Sequence, residues 1–125
     1  MKNKRSYTYD DVQLIPRYSE IGSRKEVDLT SYITKDKKIS LPFIASPMDT
    51  VCETMMSLML SEKGGIGCIH RFMPIEAQTN MISTIKKINK DSMTMAAIGA
   101  NGDFFERALE LSNVGIDFIL IDVAH

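Results

Sequence analysis

The sequence predicts an α/β fold built on a parallel sheet, and three observations carry that prediction. Four short apolar runs begin at steps of about 25 residues, and each of the first three is followed by a helix pattern. The runs are continuous rather than alternating, which is the pattern of parallel strands covered on both faces. Strand, helix, strand at that period calls for a parallel sheet with crossover connections.

The first 40 residues do not share this rhythm. Asp10 to Tyr18 and Val27 to Ile33 read as an irregular arm with short extended pieces, able to plug the floor of a barrel or reach a neighbouring subunit. A second region, 41–125, carries the repeat. Its first run is Leu41-Pro42-Phe43-Ile44-Ala45. A helix is expected from Glu53 to Lys63, with Met55, Met56 and Met59 as a core stripe beside Leu58 and Leu60. It should close on Gly64-Gly65, the first glycine taking the left-handed position after the helix.

The second run is Ile66-Gly67-Cys68-Ile69. Pro74 suits the first turn of the next helix, with Glu76 near its positive end. Ile75, Gln78, Ile82 and Ile85 recur at three- and four-residue steps, and Ile88 continues the stripe. The third run spans Met93 to Ile98. A third helix is expected from Asp103, turning Phe104, Phe105, Ala108, Leu109 and Leu111 toward a core and ending before Gly115. Phe118-Ile119-Leu120-Ile121 is the fourth run.

These amount to three complete βα units and a fourth strand. A closed (β/α)8 barrel, or TIM barrel, needs eight units and about 200–250 residues, so four strands would be its N-terminal half. A doubly wound open sheet would produce the same alternation.

Composition narrows the function. Fifteen basic against sixteen acidic residues leave a net charge of -1, without the basic surplus that nucleic-acid binding requires. Lys2, Lys4, Arg5, Lys35, Lys37 and Lys38 read as solvated loop residues. Nothing resembles a signal peptide or a membrane span, and Cys52 and Cys68 form neither a disulfide framework nor a metal-ligand spacing. The expectation is a cytoplasmic protein that binds neither membrane nor nucleic acid.

In parallel α/β folds, ligands meet residues just past the C-terminal ends of the strands. That rule selects Ser46-Pro47-Met48-Asp49-Thr50, His70-Arg71, Gly99-Ala100-Asn101-Gly102, and Asp122 with Val123-Ala124-His125. Ser46 and Thr50 can donate to a phosphate or sugar, and Asp49 can accept from a hydroxyl or a base edge. Ser46 and Asp49 could equally cap the following helix. Met48 and His70 have packing readings that compete with ligand contact, and the glycine loop is explained as well by turn chemistry. Asp122 stands out, because a carboxylate directly after four apolar strand residues is costly unless used or paired. Cys52, placed early in the first helix, and Cys68, inside the second strand, read as small buried hydrophobes rather than nucleophiles.

Four ordered motifs then resemble one family. Tyr9-Asp10-Asp11-Val12-Gln13-Leu14-Ile15-Pro16 with Tyr18-Ser19-Glu20 is similar to the opening of IMP dehydrogenases. Ser46-Pro47-Met48-Asp49-Thr50-Val51 resembles the family's nucleotide-side motif after its first barrel strand. Gly64-Gly65-Ile66-Gly67-Cys68-Ile69-His70 looks like its second strand, and Ile121-Asp122-Val123-Ala124-His125 like its fourth. The match runs from about Tyr7 to the last residue and covers IMP dehydrogenases and GMP reductases together.

The resemblance implies a TIM barrel, a purine nucleotide (IMP or GMP) seated by Ser46, Met48 and Asp49, and a cofactor, NAD or alternatively NADP, near Asp122, Val123 and Ala124. It implies a homotetramer when complete, with a monovalent cation. It implies oxidation of IMP to XMP with NAD, or reduction of GMP to IMP with NADPH, through a cysteine that adds to the purine. In the family that cysteine follows the sixth strand, so no catalytic residue is expected within these 125 residues, and a C-terminal half chain would have to supply it. Lys86 to Ser92 passes straight into the third run, without the regulatory domain pair that many dehydrogenases insert there. Its lack, with His70-Arg71-Phe72, leans toward the reductase. The Ser46–Val51 and Gly64–Gly67 motifs lean toward the dehydrogenase. A non-catalytic nucleotide-binding or assembly module is the reading from another class.

Overall fold

The computed structural model describes residues 5–124; Lys2, Lys4 and His125 lie outside them. A four-stranded parallel sheet forms the centre, in the order β3 (Ile44–Ala45), β4 (Ile66–Ile69), β5 (Met95–Ile98), β6 (Phe118–Ile121). Ahead of it, β1 (Ser31–Tyr32) and β2 (Lys38–Ile39) pair antiparallel. Helices α1 (Thr54–Glu62), α2 (Ile75–Ile88) and α3 (Phe104–Asn113) connect the parallel strands in turn. The parallel α/β expectation holds for these four strands, and α2 runs into β5 through residues 89–94 with no intervening domain.

Alternation along the strands builds two cores. Ile69, Ala96 and Ile98 face the helices and meet Leu58, Ile82, Ile85 and Leu111. Ile66, Cys68, Met95 and Ala97 face the other way, where Ile39 of β2 closes over them with Ile33, Met93, Phe118 and Leu120 at its margin. Fully burying an Ile or Leu is worth about 1.5–3 kcal/mol. Ile82 and Ile85 therefore outweigh the few tenths of a kcal/mol that a β-branched residue costs in a helix. The β1–β2 hairpin thus covers part of the helix-free face.

Two close fits set this geometry. Gly64, at φ +83°, ends α1: its N–H reaches the Ser61 carbonyl at 2.9 Å and the Gly65 N–H reaches Leu60 at 2.8 Å. That pair of bonds is the Schellman closure, and Gly115-Ile116 repeat it after α3 on Ser112 and Leu111. Gly67 faces α1 so closely that a Cβ there would lie 2.4 Å from the Ser57 Cα. The helix can rest on the strand only because the side chain is absent.

Several expected boundaries and faces are corrected. The first strand is only Ile44–Ala45, because the Phe43 N–H turns back to the Leu41 carbonyl at 2.8 Å. The third strand starts at Met95, since the Thr94 N–H donates to the Asp117 carboxylate rather than to the ladder. Pro74 is the N-cap of α2 rather than a first-turn residue. Met55, Met56 and Met59 are exposed, and the face that α1 buries carries Ser57 and Leu58. Ile88 lies on the solvent side of the α2 terminus. On α3, Phe104, Phe105 and Leu109 are exposed, while Leu111 is buried and Ala108 packs at the core margin. The buried place expected of a phenylalanine belongs instead to Arg107.

At the N-terminal ends of the strands, Asp117 collects donors. The Lys86 ammonium lies 2.6 Å away, and Thr94 donates through N–H at 2.8 Å and hydroxyl at 3.0 Å. Partial burial pushes this carboxyl up, but those donors and the Lys86 charge outweigh it and hold its pKa below the usual value. No helix among the described residues is long and apolar enough to cross a membrane.

Candidate functional site

Parallel pairing puts the C-terminal ends of β3, β4, β5 and β6 on one edge of the sheet. Ser46, His70, Gly99 and Asp122 are therefore the first residues past four neighbouring strands. The four stretches singled out from the sequence share this edge.

After β3 the chain turns tightly. The Met48 N–H donates to the Ser46 carbonyl at 2.8 Å, and the Met48 carbonyl accepts from Val51 and Cys52, each at 3.0 Å. Ser46, Met48 and Asp49 all stay exposed on this turn. The capping alternative for Ser46 and Asp49 is not found, because the N-cap of α1 is Glu53, which lacks a side-chain cap bond. Cys52 sits on the turn before α1, not within the helix.

Both cysteines are fully buried. Desolvation pushes the Cys52 thiol up to about 11 and the Cys68 thiol up to about 12. A thiol held that far above neutrality supplies almost no thiolate near pH 7. That agrees with their reading as small core residues.

His70 is buried, and both ring nitrogens are occupied. The Phe72 N–H donates to Nδ1 at 3.2 Å, which makes Nε2 the protonated nitrogen, and Nε2 faces the Glu53 carboxylate at 3.3 Å. This is the packed, hydrogen-bonded histidine that the sequence allowed. It joins the end of β4 to the start of α1.

Beside it, Arg71 extends toward Asp122, with Nε 4.0 Å from Oδ2, and both side chains are partly exposed. Asp122 is held in register by its own N–H, which donates to Ile98 at 2.9 Å. Val123 and Ala124 follow it, exposed. In the glycine loop, Gly102 takes φ +68°, which is turn chemistry.

A buried polar network behind this edge fixes the ends of β4 and β5. Gln78 Nε2 donates to the carbonyls of His70 at 2.9 Å and Ala97 at 3.0 Å, with Ile69 at 3.3 Å. Gln78 Oε1 accepts from Arg107 Nη1 at 3.0 Å. Arg107 Nη2 donates to the Met73 carbonyl at 3.0 Å and to Asp103 at 2.6 Å. The Asp103 carboxyl is held below its usual pKa chiefly by that hydrogen bond from Arg107. Sequence reasoning missed Arg107, Asp103 and Glu53 as determinants of the edge. The signal available was a polar residue inside an apolar stripe: Gln78 between Ile75 and Ile82, and Arg107 four residues before Leu111.

Arg71 Nε is buried without a hydrogen-bond partner, and the Asp122 carboxylate beside it is a partly exposed acceptor. Of the two, the Asp122 carboxylate is the group open to a hydroxyl donor. No group of three or more His, Cys, Asp or Glu side chains positioned for a metal ion occurs among the described residues. A shallow recess lined by Tyr7, Thr8, Tyr9 and Val12 lies on the arm and includes none of the strand-end residues.

Comparison with known proteins gives a consistent result. Residues 6–125 match the family model described as IMP dehydrogenase / GMP reductase domain. The inosine-5'-monophosphate dehydrogenase of Nitrosopumilus maritimus (strain SCM1) is 42% identical over 87 residues, covering 70% of this chain and 18% of that protein. That of Borreliella burgdorferi is 40% identical over 108 residues, covering 86% of this chain and 26% of that protein. A GMP reductase of Leishmania donovani is 42% identical over 80 residues, covering 64% of this chain and 16% of that protein. The chain thus spans about a quarter or less of the length of these curated relatives.

Proposed function

The chain belongs to the IMP dehydrogenase / GMP reductase family, and we propose that it supplies nucleotide- and cofactor-facing strand ends of an IMP dehydrogenase built on a TIM barrel. On this reading residues 1–40 are an arm and 41–125 the first half of the barrel. The observation that carries it is the shared edge: Ser46, Met48 and Asp49 past β3, and Asp122, Val123 and Ala124 past β6, border the same ends of one parallel sheet.

The work proposed for this chain is binding and orientation. The Ser46 hydroxyl donates to a phosphate or ribose oxygen, Met48 offers a flat apolar contact to the purine, and Asp49 accepts from a hydroxyl or base N–H. Asp122 accepts from a ribose hydroxyl of the dinucleotide, with Val123 and Ala124 beside it. A bound NAD would supply the hydride acceptor for oxidation of IMP to XMP, with water supplying the added oxygen, and NADP is the alternative cofactor. The nucleophilic cysteine, the monovalent cation and the homotetrameric assembly belong in this proposal to the complete protein; the two buried thiols here are not proposed for that role. A C-terminal half chain is the partner that would complete it, in the cytoplasm, without nucleic acid or membrane.

Reduction of GMP to IMP and ammonia with NADPH is the second reading. The direct passage of α2 into β5 favours it.

The test is titration of the chain with IMP, GMP and AMP, followed by NMR. Saturable binding of IMP ahead of AMP, weakened about five- to tenfold by Ser46→Ala, is expected for the loss of one ligand hydrogen bond. Tighter binding of GMP than IMP would transfer the reading to the reductase. Indifference of all three nucleotides to Ser46→Ala and Asp49→Ala would remove the proposed nucleotide site.

A further inference from the structure

Arg71 leaves the end of β4 and lies across the end of β5 to reach the residue that follows β6. A Cβ built on Gly99 would stand 3.4 Å from Arg71 Nη1 and 3.7 Å from Cζ, so the guanidinium lies over the start of the loop after β5 with room for an ordinary contact. Its Cζ also lies 5.3 Å from the Phe72 ring centroid, which supports one face of the plane. Its Nε is buried, without a hydrogen-bond partner, and 4.0 Å from Asp122 Oδ2.

That distance decides what the pair can do. At 4.0 Å the two groups attract as charges, yet no hydrogen bond uses up the Asp122 lone pairs. Three neighbouring strand ends are tied by one side chain, and the carboxylate at the far end is steered without being consumed. The nearby Asp103 does not compete for Arg71, because it is committed to Arg107 at 2.6 Å. His70 is likewise committed, to Glu53 and the Phe72 N–H.

From this arrangement we infer that Arg71 is a positioning residue acting through Asp122. The pair presents a fixed acceptor for a ribose hydroxyl. This rests on the cofactor placement under Proposed function and deepens it, because it explains how Asp122 is held ready.

The test measures NAD binding to the chain by NMR titration, alongside thermal melting to confirm that each variant folds. Asp122→Asn is expected to weaken binding roughly tenfold, Arg71→Gln by a similar factor, and Arg71→Lys by less because the charge is kept. The double variant Arg71→Gln with Asp122→Asn should bind no more weakly than Asp122→Asn alone, since Arg71 acts through that carboxylate. Losses that multiply in the double variant, or an Arg71→Gln that binds as the parent does, overturn the role of Arg71 and leave the cofactor placement standing. No NAD binding by the parent chain, or an Asp122→Asn without effect, overturns the placement itself and this inference with it.

Discussion

The side-chain oxygen of Gln78 accepts the Arg107 guanidinium at 3.0 Å, and through this bond α2 and α3 together hold the ends of β4 and β5. Removing either partner strands the other in the interior. Arg107→Ala should cost about 2–4 kcal/mol, because it leaves Gln78 Oε1 and the Met73 carbonyl unpaired. Gln78→Leu should cost a similar amount by leaving Arg107 Nη1 without its acceptor and three carbonyls without this donor. Urea unfolding checks both, and losses below about 0.5 kcal/mol would show that water replaces the network.

Gly67 permits no side chain. With a Cβ only 2.4 Å from the Ser57 Cα, Gly67→Ala must push α1 off β4. An overpacking cost of about 1–3 kcal/mol is expected, at the upper end because backbone rather than a flexible side chain is struck. Thermal melting measures it, and an unchanged midpoint would contradict the contact.

The donors around Asp117 make stability depend on acid. Its folded pKa lies below the ordinary 3.8, so the stabilisation is fully present above about pH 4 and is lost as pH falls through the folded value. Asp117→Asn should lower stability at pH 7 by about 1 kcal/mol and flatten the stability profile below pH 4. Parallel profiles for the two proteins would count against this account.

The two thiols should resist modification. With Cys52 near 11 and Cys68 near 12, and both fully buried, labelling by iodoacetamide at pH 7.5 should follow unfolding rather than native exposure. Both should react at once in 6 M guanidinium chloride. Rapid native labelling of either would show that its site opens.

Much of the fold could be read directly from the residues. β4 and β6 match their apolar runs residue for residue, and Gly64 and Gly115 mark the helix ends because few other residues tolerate their φ. The errors share one cause. Periodicity reports which residues are apolar, not which face another element covers, so Met55, Met59, Phe105 and Leu109 were expected in a core that does not reach them. The strand-end positions of Ser46, His70, Gly99 and Asp122 followed from parallel topology alone. The Arg71–Asp122 approach and the Gln78–Arg107 bond did not, since each joins side chains from different βα units. Only the assembled sheet sets those distances.

The exposed apolar side chains of α1 and α3 also govern how the chain behaves in bulk solution. Met55 and Met59 lie on one outer helix of the layer, Phe105 and Leu109 on the other, and Ile121 on the strand at the sheet's edge. With a net charge of -1 and an isoelectric point near 6.1, molecules repel one another only weakly. Colloidal attraction between these greasy patches is then opposed least close to pH 6. Solubility should have its minimum there and rise as the buffer is made more alkaline.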